Sequence, residues 1–154
     1  MTKLYVQLLA LLLTFGFATG AVAYDKQKAA YHINYDDAKR QTGALRNIQN
    51  HINAVGASNI DLRVVMHGNG LSLLLLPEEL KNTKMNKGNA TDKMQATIAN
   101  LKSQGVKFSV CANTLKGKKI DLDQLYDAEK ADVVPSGVAE IAHLQSQGFA
   151  YMRP

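Results

Sequence analysis

Val106-Lys107-Phe108-Ser109-Val110-Cys111-Ala112-Asn113-Thr114-Leu115-Lys116-Gly117 is the most informative run in this chain. Val106 to Val110 is short and rich in β-branched and aromatic residues, so it predicts a strand. It delivers Cys111 and then a polar turn. Just before it, Met94, Ile98 and Leu101 recur at helical spacing from about Asp92, and Gly105 ends that pattern. A helix running directly into a strand is half of an α/β unit.

The pattern repeats on both sides. Ala29 to Ile33 predicts a first strand, and Asp36 and Asp37 follow as helix N-cap candidates. Ala38, Thr42, Leu45, Ile48, Ile52 and Val55 then form one apolar helix face, closed by Gly56. Ile60 to Met66 predicts a second strand. Leu71 to Leu76 holds five Leu in six residues and stops at Pro77, which we read as a short buried helix. Residues 81–93 carry four Lys and read as an exposed loop. Ile120 to Tyr126 predicts a short helix begun by Asp121, and Ala131 to Val134 a fourth strand. A last helix follows Pro135-Ser136-Gly137, with Val138, Ile141 and Leu144 on one face. Gly148 ends it, and Phe149 to Met152 predicts a fifth strand. This alternation predicts a three-layer α/β/α domain with a five-stranded, mostly parallel sheet.

The N-terminus reads differently. Lys3 precedes an uncharged, mostly apolar run from Leu4 to Phe17, and Ala21-Val22-Ala23 offers an A-x-A cleavage site. Residues 1–23 therefore predict a secretory signal peptide cut after Ala23, leaving 24–154 as a single domain in a periplasmic or secreted setting. The apolar run is short for a span of about 20 residues, and no later stretch is long enough. Cleavage removes one charged residue and takes the formal charge from +5 to +4. The basic residues are scattered among acids, and Trp is absent, which argues against nucleic acid as a partner.

There is one cysteine, Cys111. It excludes an internal disulfide, a CxxC redox pair and a Cys-rich zinc site. The thiol is a buried inert group, half of an intermolecular bridge, or a reactive centre. In open parallel sheets ligands bind beyond the carboxyl ends of the strands. That rim collects Asn34, His67, Cys111, Asn113 and Ser136. Turn amides after Cys111, and Lys116, Lys118 or Lys119, would favour a thiolate. His67 is either a general base or a loop histidine bonded to backbone. None of the four histidines shows metal-ligand spacing, and we expect no metal or other cofactor. His67-Gly68-Asn69-Gly70 lacks the dinucleotide fingerprint, and neither a P-loop nor a G-x-S-x-G elbow occurs. Asn89-Ala90-Thr91 matches a glycosylation sequon.

The run from Val106 to Gly117 resembles the strand-to-turn segment of DsrE/DsrF-like (DsrEFH) sulfur-relay proteins. Val133-Val134-Pro135-Ser136-Gly137-Val138-Ala139-Glu140-Ile141 and Gly148 to Pro154 resemble exported members of that family. The resemblance implies a five-stranded parallel sheet, assembly as a homo-trimer or hexamer, and a strand-end cysteine that accepts sulfur as a persulfide. It carries over to Cys111, with Lys116 and Gly117 a rough match to the family's basic-Gly pair. With no second cysteine, transfer requires an external small thiol or a donor or acceptor protein. The competing readings are a non-catalytic oligomeric interaction module with a structural cysteine, and a small-ligand or metal-binding protein using His67 and Cys111.

Overall fold

The computed structural model describes residues 25–154. The signal-peptide reading lies outside these residues. Five parallel strands form one sheet: β1 (Gln27–Ile33), β2 (Ile60–Met66), β3 (Lys107–Cys111), β4 (Val133–Val134) and β5 (Ala150–Met152), in the order β4-β3-β2-β1-β5. Four α-helices connect them: α1 (Ala38–Val55), α2 (Asp92–Ser103), α3 (Ala112–Lys118) and α4 (Gly137–Ser146). Among the described residues no helix is long and apolar enough to cross a membrane.

Strand order dictates the layers. From β1 to β4 each strand is added on the same side of its predecessor, and then the chain returns past β1 to add β5. Parallel crossovers are right-handed, so a reversal of direction moves the connecting helix to the other face. α1 and α2 accordingly pack with Ile33, Val64, Met66, Phe108 and Val110 in the larger core. α4 packs alone on the opposite face, where Ile141 and Leu144 meet Ala30, Val65 and Phe149.

Local sequence explains the helix ends. The Asp37 carboxylate accepts from the Arg40 N–H at 2.7 Å and caps α1. Gly56, at φ 89°, donates back to the Ile52 carbonyl at 2.8 Å. The buried stripe of α1 is Gln41, Ala44, Leu45, Ile48, Ile52 and Val55. Ala38 and Thr42, expected on that face, are exposed. Gln41 takes their place because its amide has buried partners. It donates to the Tyr35 carbonyl at 2.7 Å and to Ser72 Oγ at 2.9 Å, and its oxygen accepts from Asn89 at 2.8 Å. Asn89 also donates to the Asp36 carbonyl at 3.0 Å.

That network corrects the loop reading of 81–93. The segment starts inside a 3-10 helix, Pro77–Asn82, and buries Met85, Asn89 and Ala90. The sequon asparagine is thus engaged inside the fold. The leucine run is buried as expected, but its helix is a 3-10 segment, Gly68–Leu73, and Leu75 bridges Leu125. Gly70 is required there. A Cβ would lie 1.9 Å from the Ile33 carbonyl oxygen.

Other boundaries also move. The polar turn after Cys111 is helical, and beyond it only Leu122–Gln124 coils, as a 3-10 turn boxed by Asp121 and Gln124. Residues 130–132 form a capped 3-10 turn, leaving β4 two residues long. Val138 is 65% exposed and does not join Ile141 and Leu144. The buried stripe of α4 runs Gly137, Ile141, Leu144, one step round from it.

Gln41→Leu takes one hydrogen-bond partner each from the buried Ser72 hydroxyl, the Asn89 amide and the Tyr35 carbonyl. Losing such partners costs about 2 kcal/mol. Urea unfolding monitored by circular dichroism is expected to show that loss, with an unchanged m-value.

Candidate functional site

Strand parity sets which side chains meet. Successive side chains alternate between sheet faces. Ala29, Tyr31 and Ile33 of β1, Val64 and Met66 of β2, and Phe108 and Val110 of β3 face α1 and α2. The alternate positions face α4. They bring His32, His67 and Cys111 to the thinly covered side. Register aligns them: Ile33 pairs Met66, Met66 pairs Val110, and Cys111 pairs Val134.

Cys111 ends β3 at the point where neighbouring strands send their chains to opposite faces. β3 turns into α3 on the larger-core side, and β4 turns into α4 on the other. Such switch points open a crevice at the carboxyl ends of the strands. Here the crevice holds Cys111, a residue only 4% exposed. Burial pushes the thiol pKa up. It is outweighed by hydrogen bonding from the Thr114 hydroxyl and from the backbone N–H groups of Gly137, Thr114 and Asn113, so the thiol lies below its ordinary value. The donors come from the first turns of both α3 and α4, whose dipoles also favour an anion. Thr114 Oγ1 itself accepts from the Gly68 N–H at 2.8 Å, which leaves its hydroxyl proton for the sulfur.

Gly137 has a spatial reason. A Cβ there would sit 2.9 Å from His67 Cβ and 3.2 Å from His67 Cδ2. Only a glycine lets α4 bring its first N–H to the thiol beside that ring. Ser136 caps the same helix, its hydroxyl accepting from the Ala139 N–H at 3.4 Å.

His67 follows β2, and its Nε2 lies 2.8 Å from His32 Nε2. His32 Nδ1 lies 2.7 Å from the Tyr151 hydroxyl. A cavity of about 300 Å³ opens beside them, lined by His32, His67, Val138, Ile141, Gln145 and Tyr151. Burial, then His67 and then Arg153, lower the His32 pKa to about 4. Burial also lowers that of His67.

The sequence-predicted residues therefore divide. Cys111, the backbone of Asn113, and Ser136 beside Gly137 gather at the switch point, with His67 against Gly137. Asn34 lies on the rim next to His67 by register, and its side-chain oxygen accepts from Arg153 at 3.5 Å. Lys116 lies apart. It lines a separate surface cavity with Asn82, Lys119 and Asp121, and the donors acting on the thiol are Thr114, Gly137 and Asn113. The sequence reading missed His32, Thr114, Gly137 and Tyr151. For His32 and His67 a signal existed: each lies an even number of places from residues that face α4. Among the described residues, no group of three or more His, Cys, Asp or Glu side chains converges as a metal site.

Thr114→Val removes a donor to the sulfur and is expected to raise the pH midpoint of Cys111 alkylation relative to wild type, while Thr114→Ser retains it. The His32 shift has a separate consequence. The unfolded chain binds a proton near the ordinary histidine pKa of about 6.5, whereas the folded chain resists protonation until about 4. Stability therefore falls as pH drops through that window. Urea midpoints between those limits should fall less steeply for His32→Gln than for wild type.

Comparison with known proteins agrees with this architecture. A solved structure of a protein of unknown function from Methanobacterium thermoautotrophicum is 28% identical. The match covers 83% of this chain and 99% of that one, with a TM-score of 0.66. A search of curated proteins finds no match. The profile of the DsrE/DsrF-like family matches residues 16–154. That span takes in every strand of the sheet and the cysteine at its switch point, and the chain belongs to the DsrE/DsrF-like family.

Proposed function

We propose that this protein carries sulfane sulfur as a persulfide on Cys111. Family membership suggests a sulfur-relay-like role. The observation that supports the finer reading is the place of Cys111 at the start of α3 and near Gly137 at the start of α4, where polar groups of both lower the thiol pKa despite burial. In the proposed step the Cys111 thiolate attacks the outer sulfur of a donor persulfide, R–S–SH. A Cys111–S–SH bond forms, the donor S–S bond breaks, and the donor leaves as a thiolate that is then protonated. An acceptor thiolate reverses the same exchange. No net oxidation occurs. A cysteine this buried suits a small persulfide or one presented on a narrow protein segment.

The proposed setting is the periplasm or the exterior, supported by the Lys3, Leu4–Phe17 and Ala21-Val22-Ala23 pattern. A homo-trimer or hexamer is the proposed assembly, supported by the exposed apolar side chains of Val138 and Met152. The near-complete burial of Cys111 favours one second reading, an interaction module in which the thiol is structural.

Intact mass spectrometry after exposure to a small persulfide separates the two. The carrier gains one reducible sulfur, about 32 Da, on folded wild type and none on Cys111→Ser. Labelling of Cys111 only after denaturation would favour the structural reading.

A further inference from the structure

We propose that His67, His32 and Tyr151 form a proton relay between the sulfur site and solvent. The inference rests on the carrier reading of Cys111 and assigns that reaction its route for protons.

Geometry comes first. The two Nε2 atoms are 2.8 Å apart, whereas the ring centres are 4.7 Å apart at an interplanar angle of 28°. The nitrogens are much closer than the rings, so the imidazoles meet edge to edge as an N–H···N pair. A neutral imidazole carries one N–H and one lone pair. Only two arrangements then satisfy the chain. In one, His67 Nε2–H donates to His32 Nε2, and His32 Nδ1–H donates to the Tyr151 oxygen. In the other, Tyr151 O–H donates to His32 Nδ1, His32 Nε2–H donates to His67 Nε2, and His67 carries its proton on Nδ1. The two tautomers are locked to each other, and interconverting them moves one proton along the whole chain.

The ends of the chain lie where a relay needs them. At one end His67 meets Gly137 through its Cβ, Cγ and Cδ2, and the Gly137 N–H is one of the groups that lower the Cys111 thiol pKa. At the other, Tyr151 is 41% exposed. A cavity lined by His32, His67 and Tyr151 opens beside the chain. Burial keeps both imidazoles neutral at physiological pH, with one donor and one acceptor each. Among the described residues no third His, Cys, Asp or Glu converges on the two imidazoles, and such a pair suits a shared proton better than a metal ion.

Sulfur transfer supplies the proton demand. As the donor S–S bond breaks, RS⁻ takes the proton from His67 Nδ1. His67 Nε2 takes the His32 Nε2 proton, His32 Nδ1 takes the Tyr151 proton, and Tyr151 takes one from water. The products are RSH, neutral side chains in the alternate arrangement, and hydroxide dispersed in buffer. Rotation of protons back through the chain during discharge to an acceptor thiol resets it.

Tyr151→Phe cuts the solvent end and leaves both imidazoles; His32→Gln breaks the middle and keeps a hydrogen-bonding group. Single-turnover persulfidation by glutathione persulfide, followed by intact mass, is expected to slow about tenfold or more in each. Added imidazole buffer is expected to restore part of the Tyr151→Phe rate. Alkylation by iodoacetamide releases iodide and needs no proton, so its rate should stay at the wild-type value in both variants. Equal slowing of both reactions would mean a structural role and overturn the relay. Wild-type persulfidation rates in the variants would overturn it while leaving the carrier reading intact. If wild type takes no sulfur, the carrier reading fails and the relay loses its reaction. Imidazole nitrogen NMR then tests the chain itself. Coupled tautomers require that Tyr151→Phe shift the signals of both His32 and His67; a shift at His32 alone contradicts the coupling.

Discussion

The chain reverses direction across its sheet once, between β4 and β5, and the site depends on that reversal. Right-handed crossovers then oblige α4 to lie on the face opposite α1, α2 and α3. A gap opens between the ends of β3 and β4, whose chains leave in opposite directions. Cys111 occupies that gap and receives backbone donors from α3 on one side and α4 on the other. Neither helix alone assembles this set. The same reversal leaves one helix to cover a whole sheet face, so that the ends of β1, β2 and β5 on that face border a cavity rather than core.

Burial at the site works in two directions. It opposes charge on the Cys111 thiol, and aimed N–H and O–H donors overcome it. It equally opposes charge on His32 and His67, where no carboxylate offsets it, and they remain neutral. An anion-favouring sulfur and two uncharged imidazoles thus share one sheet face. The larger core packs behind this arrangement. Gln41, Ser72 and Asn89 tie α1, the leucine run and the segment before α2 through buried hydrogen bonds.

Much of the fold was legible in the chain. Periodicity identified β2 at its observed bounds and α1 from cap to cap, because the Asp37 and Gly56 signals are local. The exposed reading of 81–93 failed because Asn89 looks polar and is buried, satisfied by partners from two distant segments. Val138 looked apolar and is exposed, since one step round a helix separates it from the Ile141 stripe. Cys111 was legible as a strand-end thiol. The donors that act on it were less so: Thr114 is three residues away, but Gly137 arrives through tertiary structure. Lys116 was chosen for its charge and nearness in sequence, whereas the length of α3 carries it to another surface. Tyr151 reaches His32 only because β5 pairs β1 from the far side of the sheet.

The central claim is that two helix starts make a buried cysteine anionic at lower pH than a free thiol. Ultraviolet absorbance of the thiolate, titrated on the folded protein with Cys111→Ser as blank, measures it directly. A single transition is expected, with a midpoint below that of the same thiol in the unfolded chain. A midpoint at or above that value would show that burial wins, and would contradict it.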